Sequence, residues 1–259
     1  MKFVFDLDGT ICFKGVPVSE NLLQCFEDIE EHGHEIIFAS ARPIRDMLPV
    51  LHERFYNHTL IGGNGSLISK NGKVIFSNSF TDEQVKNILS IIKKQQATYL
   101  IDGIWDYSYT GPAGHPILKN LDVKKLAKSV SINNLRPIVK ILILTMNNYD
   151  EFLSELKLLD VVIHQHSNEH TIDISPQNID KANALKTLGI TDYVAFGNDS
   201  NDISMFKNSI YSVMIGDHKE LSYYANEQIN MDEDCEKNII EKLKEIAQKR
   251  FEKPAIQKN

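Results

Sequence analysis

The first ten residues, MKFVFDLDGT (1–10), decide the fold. Residues 2–5 form a short apolar run bounded by turn residues, which predicts a buried β-strand. Asp6 and Asp8 follow this run and directly precede Gly9. Two like charges at this spacing repel each other, and an ordinary turn needs only one polar residue. The pair therefore indicates one of two arrangements. Either the residues form an ordinary turn in which the second acid occurs by chance, or both acids face the same cation and reacting group.

Strands and helices alternate at both ends of the chain. The N-terminal part predicts a helix from Ser19 to Gly33, a strand over 35–40, a helix over 42–55, a strand and glycine-rich loop over 58–69, and a hairpin around Asn71-Gly72. The C-terminal part predicts a helix over 180–189, a strand over 193–198, helices over 202–209 and 219–225 with a strand over 211–216 between them, and a last helix over 235–251. This alternation predicts a doubly wound, mostly parallel, Rossmann-like α/β sheet.

The middle of the chain has a different pattern. A helix over 81–97 is followed by strand-like segments over 98–109, 139–146, 161–167 and 170–176, with a helix near 149–159. The two last strands are joined by so few residues that antiparallel pairing is expected. We therefore predict an α+β cap over 81–179, inserted into a core made of 1–80 and 180–259, with a frayed polar tail over 252–259.

Composition limits the class of protein. Lys and Arg number 28 and Asp and Glu 35, so the formal charge is −7, and no basic stripe predicts binding to nucleic acid. Cys12, Cys25 and Cys235 form no C-x-x-C pair, which suits a reducing compartment. The longest apolar run, 138–146, is interrupted by Lys140 and is too short to cross a membrane. These features predict a cytoplasmic protein without nucleic-acid or membrane partners, as a monomer or weak homo-oligomer.

Polar residues of one kind follow several of the predicted parallel strands. In such sheets, ligands bind at the carboxyl ends of the strands. The residues are Asp6 and Asp8 after the first strand, Ser40 after the second, Asn198, Asp199 and Asp202 after the strand over 193–198, and Lys181 before that strand. Their convergence predicts a functional site at this edge.

This set of groups suits phosphoryl transfer. Carboxylates bind Mg²⁺, and Mg²⁺ together with Lys181 neutralises phosphate oxygens. Ser40 can hold another phosphoryl oxygen. An aspartate can attack phosphorus and form an aspartyl-phosphate, and a second acid can protonate the leaving alkoxide and then activate water. We therefore assign attack to Asp6 and proton transfer to Asp8, with Gly9 allowing the tight turn between strand and loop.

The same residues resemble a known family. DLDGT (6–10), ASARP (39–43), Lys181 and FGNDSNDISMF (196–206) resemble the four ordered motifs of the haloacid dehalogenase superfamily. The inserted unit resembles the large cap of its Cof-type phosphatases, and GGNGSLI (62–68) resembles a loop of that branch. The resemblance covers the whole chain. It implies Mg²⁺-dependent hydrolysis of a small-molecule phosphate monoester, such as a sugar phosphate or phosphorylated cofactor.

The resemblance also implies residue roles. Asp6 and Asp8 are catalytic. The phosphate is held by Ser40, Lys181, Asn64 and Asn201. The metal set comprises Asp6, Asp8 (through its backbone carbonyl), Asn198, Asp199 and Asp202.

Two positions depart from the pattern of the family. Asn198 stands where the family usually has an aspartate, and an uncharged amide should weaken Mg²⁺ binding unless Asp199 or Asp202 compensates. Ser40-Ala41 replaces the commoner Thr-Gly and keeps the hydroxyl. For the neighbouring Arg42, an exposed position at the start of a helix is expected rather than phosphate binding, which is the alternative.

Other interpretations remain beside this one. The enzyme could be a phosphotransferase or mutase that returns the phosphoryl group to a second hydroxyl. Alternatively, the chain could be a phosphate-ligand sensor whose turnover is blunted by Asn198. A calcium loop is disfavoured because Ile11 and Pro17 occupy positions that need glycine and glutamate. Three histidines, His164, His166 and His170, suggest zinc only weakly, since no carboxylate or cysteine accompanies them at metal spacing.

Overall fold

The computed structural model describes residues 1–166 and 171–249, and these residues form one eight-stranded and one five-stranded sheet. The strands of the larger sheet are β1 (Lys2–Phe5), β2 (Glu35–Ala39), β3 (Thr59–Gly62), β4 (Leu67–Lys70), β5 (Lys73–Ser77), β11 (Val194–Gly197), β12 (Tyr211–Ile215) and β13 (Glu227–Ile229). The strands of the smaller sheet are β6 (Thr98–Asp102), β7 (Tyr107–Tyr109), β8 (Lys140–Thr145), β9 (Val162–His166) and β10 (Thr171–Ser175).

The larger sheet has the order β13-β12-β11-β1-β2-β3-β4-β5. Strands β13 to β3 in this order are parallel, while β4 and β5 are antiparallel and are joined by the predicted Asn71-Gly72 turn, in which both residues have positive φ. β1 lies near the centre, with Phe3 beside Val194 of β11 and Ile36 of β2. After their first residues, Lys2 and Glu35, the central strands β1 and β2 are wholly apolar, because helices cover both faces of the sheet. The predicted α/β fold is confirmed.

The helices are α1 (Glu20–Glu31), α2 (Ile44–Met47), α3 (Asp82–Lys94), α4 (Tyr149–Leu156), α5 (Lys181–Thr187), α6 (Ile203–Asn208) and α7 (Cys235–Gln248). Local signals explain their starts. The Ser19 side chain accepts a hydrogen bond from the Leu22 N–H at 3.3 Å, and Thr81 forms a capping box with Gln84 at the start of α3. No helix among the described residues is long and apolar enough to cross a membrane.

The structure corrects three details. The helix predicted over 42–55 ends at Met47, because Pro49 has no N–H to continue the helical hydrogen bonds. The helix predicted over 219–225 is only a 3₁₀ turn at Leu221–Tyr224. The edge strand β13 was not predicted, since three residues are too few to show an alternating pattern. His170 and the predicted frayed tail lie outside the described residues.

The smaller sheet is wholly antiparallel, with the order β7-β6-β8-β10-β9. We call this sheet, with α3 and α4, the cap. One face of the sheet packs against the two helices, with Ile101 and Ile141 buried among them. Leu100 and Leu142 alternate onto the opposite face and line a cavity against the larger sheet. The cap is one continuous segment between β5 and α5, and its limits at residues 81 and 179 remain a prediction.

Candidate active site

Three neighbouring strands of the larger sheet bring the predicted site residues together. β11, β1 and β2 are adjacent and parallel, so Asn198, Asp6 and Ser40 follow their carboxyl ends side by side. The backbone continues the pairing at this edge: the Asp6 N–H donates to the Phe196 carbonyl at 2.9 Å, and the Ser40 N–H donates to the Ile61 carbonyl at 2.8 Å. The backbone at the base of the site is therefore fixed by the sheet.

Lys181 connects two buried carboxylates. Its Nζ lies 2.5 Å from Asp6 Oδ1 and 2.6 Å from Asp202 Oδ1, and the Lys181 side chain has no exposed surface. Burial raises the pKa of Asp6 to about 7, and the Lys181 charge reverses this only in part. Burial alone would lower the pKa of Lys181, but Asp202 and Asp6 outweigh it and raise that pKa above its ordinary value. The lysine therefore stays charged beside Asp6.

Asp202 also fixes the loop that carries Asn198. Its Oδ2 accepts hydrogen bonds from the N–H groups of Asn198 at 2.8 Å and Asp199 at 3.2 Å. Asp199 itself turns outward: its side chain is half exposed, accepts from the Ser200 N–H at 2.6 Å and lies 3.4 Å from His218 Nε2. Of the two acids, Asp202 is built into the site, whereas the Asp199 carboxylate faces the surface.

The Asn198 side chain lies against a set of oxygens. With its NH₂ group turned towards them, it donates to the Asp8 carbonyl at 3.0 Å and to Thr10 Oγ1 and Asp6 Oδ2 at 3.1 Å each. Gly9 makes this approach possible, since a Cβ at this position would collide with the Asn198 side chain, and its φ of +81° favours glycine. Asn198 therefore closes a small polar cradle at the end of β1.

Asp8 is held by an arginine that the sequence did not assign to the site. Arg42 Nε donates to Asp8 Oδ2 at 2.7 Å and its NH2 group donates to Oδ1 at 2.6 Å, a bidentate pair. The Arg42 side chain is only 12% exposed, so the prediction of an exposed helix-start arginine was wrong. The charge pattern could not reveal this, because Asp8 lies 34 residues earlier in the chain.

Ser40, Asn64 and Asn201 occupy the same region. Ser40 is buried, and its Oγ accepts from the Arg42 N–H at 3.1 Å. Asn201 Nδ2 donates to Asn64 Oδ1 at 3.2 Å, and Asn64 Nδ2 reaches Asp173 Oδ2 of the cap at 3.4 Å. The two asparagines thus link the loop after β11 to the cap.

A second lysine approaches the site from the cap. Lys140 Nζ on β8 donates to the Ala41 carbonyl at 2.7 Å and pairs with Asp173 Oδ2 on β10 at 2.8 Å. Asp173 Oδ1 is buried and accepts no hydrogen bond from the residues that the structure describes. The sequence signal for Lys140 was its interruption of the apolar run 138–146, and Asp173 stands between two buried isoleucines.

A further ionic cluster joins core and cap beside these groups. The fully buried Arg45 lies 2.5 Å from Asp102 of the cap and 3.1 Å from Asp46, and it donates to the Trp105 carbonyl at 2.8 Å. The Asp122 N–H donates to Asp46 Oδ1 at 2.8 Å. Burial raises the pKa of Asp46 to about 6. This cluster holds the cap against the loop that follows β2.

A cavity of about 240 Å³ lies between core and cap. Its core wall includes Asp8 and Arg42, and its cap wall includes Leu100, Leu142 and the Lys140–Asp173 pair. The cavity is therefore lined by Asp8, two residues after the nucleophile candidate Asp6, and it reaches the cap. A molecule that reacted at Asp6 would have room for its remaining part there.

No group of three or more His, Cys, Asp or Glu side chains in the part of the chain that the structure describes is arranged to hold a metal ion. The side chain of His166 and the whole of His170 fall outside those residues. A cation at the strand ends would thus depend on mixed donors: the Asp6 carboxylate, the Asp8 carbonyl and an amide oxygen from Asn198. Oxygen donors of these kinds suit Mg²⁺.

Comparison with known proteins gives consistent results. A family model for haloacid dehalogenase-like hydrolases matches residues 3–251. The phosphoglycolate phosphatase of Methanobrevibacter smithii is 20% identical over 253 residues, covering 94% of this chain and 95% of that protein. A solved haloacid dehalogenase-like hydrolase from Bacteroides thetaiotaomicron matches with a TM-score of 0.77 at 20% identity, covering 95% of this chain and 98% of its own.

A second solved structure extends the likeness to the cap. BT4131, a sugar phosphatase of haloacid dehalogenase subclass IIB, matches with a TM-score of 0.75 at 18% identity, covering 95% of this chain and 98% of its own. The likeness spans both sheets, because so little of either chain is left unmatched. These findings confirm the predicted Cof-type fold and enzyme class, a phosphoric monoester hydrolase, and the chain belongs to the family of haloacid dehalogenase-like hydrolases.

Proposed function

We propose that the chain is a Mg²⁺-dependent phosphatase that hydrolyses a small-molecule phosphate monoester through an aspartyl-phosphate on Asp6. The observation that carries this proposal is the buried Asp6 carboxylate, held by Lys181 at 2.5 Å and followed two residues later by Asp8, which lines a cavity between core and cap. A buried nucleophile with a fixed cation beside it is preorganised for attack on phosphorus. The names of the relatives, a phosphoglycolate phosphatase and a sugar phosphatase, support the same reaction class.

The donor set at the strand ends fits Mg²⁺. Asp6 Oδ2, the Asp8 carbonyl and the Asn198 side chain already surround one small polar cradle. Rotation of the Asn198 amide about its last bond brings Oδ1 to the place of the NH₂ group and completes a set of oxygen ligands. A bound Mg²⁺ would neutralise the phosphate oxygens and the charge that develops during transfer. Asn198 contributes no charge, so this chain has one carboxylate fewer than the family pattern.

The protein groups divide the chemistry as follows. An Asp6 oxygen forms a bond to phosphorus while the bond from phosphorus to the ester oxygen breaks. Asp8 gives its proton to that leaving oxygen, and in the second step it takes a proton from the water that attacks the aspartyl-phosphate. Lys181 and the donor groups of Ser40, Asn64 and Asn201 hold the phosphoryl oxygens. The products are the free alcohol and inorganic phosphate, and both acids return to their starting state.

Arg42 has a distinct part in this scheme. Its bidentate pair orients the Asp8 carboxylate. Asp8 must reach the leaving oxygen in the first step and the attacking water in the second. Arg42 is therefore a positioning residue that fixes the direction in which Asp8 transfers a proton.

The test is phosphate release from a panel of phosphate monoesters, with Mg²⁺ and with a chelator. Asp6→Asn should abolish the release, by about 10³-fold or more, because the amide cannot act as the nucleophile. Asp28→Asn, which changes a half-buried carboxylate on α1, is the matched control and should retain activity. Full activity of Asp6→Asn would disprove the mechanism.

Product analysis distinguishes the rival functions. In the presence of a competing acceptor alcohol, a phosphotransferase or mutase would form a new ester, whereas a phosphatase releases inorganic phosphate. A sensor would bind phosphate ligands or stay phosphorylated on Asp6 without turnover. The presence of Asp8 is evidence against the sensor function, because phosphate binding alone does not require a second acid, while rapid dephosphorylation does.

A further inference from the structure

A cluster of charged side chains joins the core to the cap beside the cavity. We call Arg45, Asp46, Asp102 and Asp122 the junction cluster. We propose that this cluster is a proton-sensitive latch, in which uptake of a proton by Asp46 favours docking of the cap and loss of that proton favours its release. The latch involves neither Mg²⁺ nor phosphate, so it goes beyond the proposed function and does not depend on it.

The junction cluster is buried and is divided between core and cap. Arg45 and Asp46 belong to α2 of the core, whereas Asp102 ends β6 and Asp122 lies in a loop of the cap. All four residues are at most 9% exposed. Two contacts cross the junction: Arg45 pairs with Asp102 at 2.5 Å, and the Asp122 N–H donates to Asp46 Oδ1 at 2.8 Å. Docking of the cap therefore removes these charges from water.

The junction cluster contains one cation and three carboxyl groups. The charges of Arg45 and Asp46 cancel within the core, and docking adds the carboxyl groups of Asp102 and Asp122 from the cap. A fully ionised cluster therefore has an excess of negative charge. Like charges repel more strongly when they are buried, because little water screens them. A proton on one of the carboxyl groups relieves part of this repulsion.

The contacts of the three carboxyl groups identify Asp46 as the one that takes the proton. The guanidinium of Arg45 lies 2.5 Å from Asp102 but 3.1 Å from Asp46. The carboxylate of Asp122 already accepts hydrogen bonds from two N–H groups of its own loop, at 2.7 and 3.2 Å. Burial raises the pKa of Asp46 to about 6, Arg45 opposes this rise, and Asp102 adds to it.

The groups around Asp46 come from α2, from the loop before it and from three segments of the cap. Arg42 donates to the Asp46 carbonyl at 3.2 Å, but its guanidinium is paired with both oxygens of Asp8. The Tyr107 ring lies 4.9 Å from the guanidinium of Arg45, and burial raises the pKa of its hydroxyl, which stays uncharged at neutral pH. The titratable and charged groups that face Asp46 are Arg45, Arg42, Asp102, Tyr107 and Asp122.

The raised pKa gives the direction of the pH effect. When the cap is released, water reaches Asp46 and its pKa returns towards the ordinary value of 3.8. The docked state therefore binds the proton more tightly, and low pH favours docking. This contribution to docking is complete below about pH 4 and is lost as the pH rises through about 6. Asp46 and Asp102 also line the cavity, so release of the cap would open the cavity to solvent.

Amide hydrogen exchange measures this docking, because the Asp122 N–H is bonded to Asp46 across the junction. Exchange would be followed by NMR from about pH 5 to 8, with each rate compared with the intrinsic rate at that pH. The protection of the Asp122 N–H should fall about tenfold from pH 5 to 7 and stay level above pH 7. The Thr110 N–H, which donates to the Tyr99 carbonyl within the cap, is the internal reference. Constant protection of Asp122 would overturn the proposal.

Two variants show whether Asp46 is the group that titrates. Asp46→Asn removes the titrating group but keeps an oxygen for the Asp122 N–H, so the protection of Asp122 should no longer depend on pH. Asp106→Asn is the matched control, because Asp106 also accepts a backbone N–H of the cap, that of Lys128 at 2.9 Å, outside the junction cluster. The pH dependence should persist in this control. Its survival in Asp46→Asn would refute the assignment to Asp46.

A third variant keeps the proposal testable if Asp46→Asn does not fold. In Asp102→Asn, the repulsion from Asp102 is gone and Arg45 is free to pair more closely with Asp46, so the pKa of Asp46 should fall. The pH above which the protection of Asp122 is level should then move down by about one unit. An unchanged pH, or a shift to higher pH, would contradict the latch.

Discussion

The core and cap sides of the site differ in how completely their polar groups are satisfied. In the core, beside the cavity, Lys181 contacts Asp6 and Asp202, and both Asp8 oxygens pair with Arg42. On the cap side, one buried oxygen of Asp173 accepts no hydrogen bond from the residues that the structure describes. The difference teaches that the charged groups at the strand ends are paired in advance, whereas the pairing on the cap side is incomplete.

The largest test of this contrast replaces one lysine of the core site and one lysine of the cap with methionine. Lys181→Met leaves two buried carboxylates facing each other, so we expect a loss of about 3–5 kcal/mol in the free energy of unfolding, measured with urea. Lys140→Met leaves a single carboxylate that still contacts Asn64, so its loss should be smaller. Equal losses of stability in the two variants would contradict the difference between the core and cap sides.

The ionic cluster around Asp46, which joins core and cap, should make the stability of the protein depend on pH. Burial raises the pKa of Asp46 to about 6 in the folded protein from 3.8, so the folded state favours the protonated form. That contribution to stability is complete below about pH 4 and is lost as the pH rises through about 6. Relative to Asp46→Asn, the protein should therefore lose about 2 kcal/mol between pH 4 and 7, as measured by urea unfolding at each pH. A constant difference, or one of opposite sign, would contradict the buried, charge-destabilised state of Asp46.

Arg42→Lys tests whether Asp8 must be held in one orientation. Lysine cannot form a bidentate pair, so kcat for an alkyl phosphate, whose leaving alkoxide needs a proton, should fall about tenfold. Phenyl phosphate, with a more acidic leaving group, should be less affected. Arg54→Lys is the matched control, because Arg54 also contacts both oxygens of a carboxylate, that of Glu20, on the outside of the core. Equal loss on both substrates would indicate a merely structural role.

The smallest expected effect concerns the metal. Asn198→Asp adds a third carboxylate near Asp6 and Asp8, so Mg²⁺ should bind about fivefold more tightly, as measured by calorimetry. The same change should destabilise the metal-free protein, because the added charge has no cation to face. Asn208→Asp, at the end of α6, controls for the added charge alone. Unchanged Mg²⁺ affinity would place the ion away from Asn198.

The core side of the site could be predicted from sequence because its geometry is local. Asp6, Ser40 and Asn198 each follow a strand, and parallel strands end at one edge, so no long-range information was needed. The sequence left open whether Asn198 or Asp199 faces the metal, because that depends on how the short loop turns. In the structure the Asn198 side chain lies against Asp6 and Thr10, and the Asp199 carboxylate faces the surface. The structure places Asp202 inside through its bonds to two backbone N–H groups.

The polar contacts on the cap side could not be predicted in the same way. Lys140 and Asp173 lie on different strands, and their contact depends on the antiparallel register that sets Asp173 opposite Leu142. Shifting that register by one residue would turn the side chains of β10 to the opposite face. The prediction for Arg42 was wrong for a related reason, because its partner Asp8 lies in another loop and no periodicity connects the two residues. Long-range register thus limits what the sequence reveals about specificity.

The central place of β1 has a consequence for biosynthesis. Asp6 leaves the ribosome long before its partners Lys181 and Asp202, which come 175 and 196 positions later, and β1 pairs with β11 only after the cap has been made. Contacts so distant in the chain form slowly, and domains fold as they emerge. A nascent chain can therefore complete the cap while its first strand still lacks one neighbour. Asp6 acquires its lysine only after the cap has been made, so a chain interrupted before Lys181 would carry Asp6 without that partner.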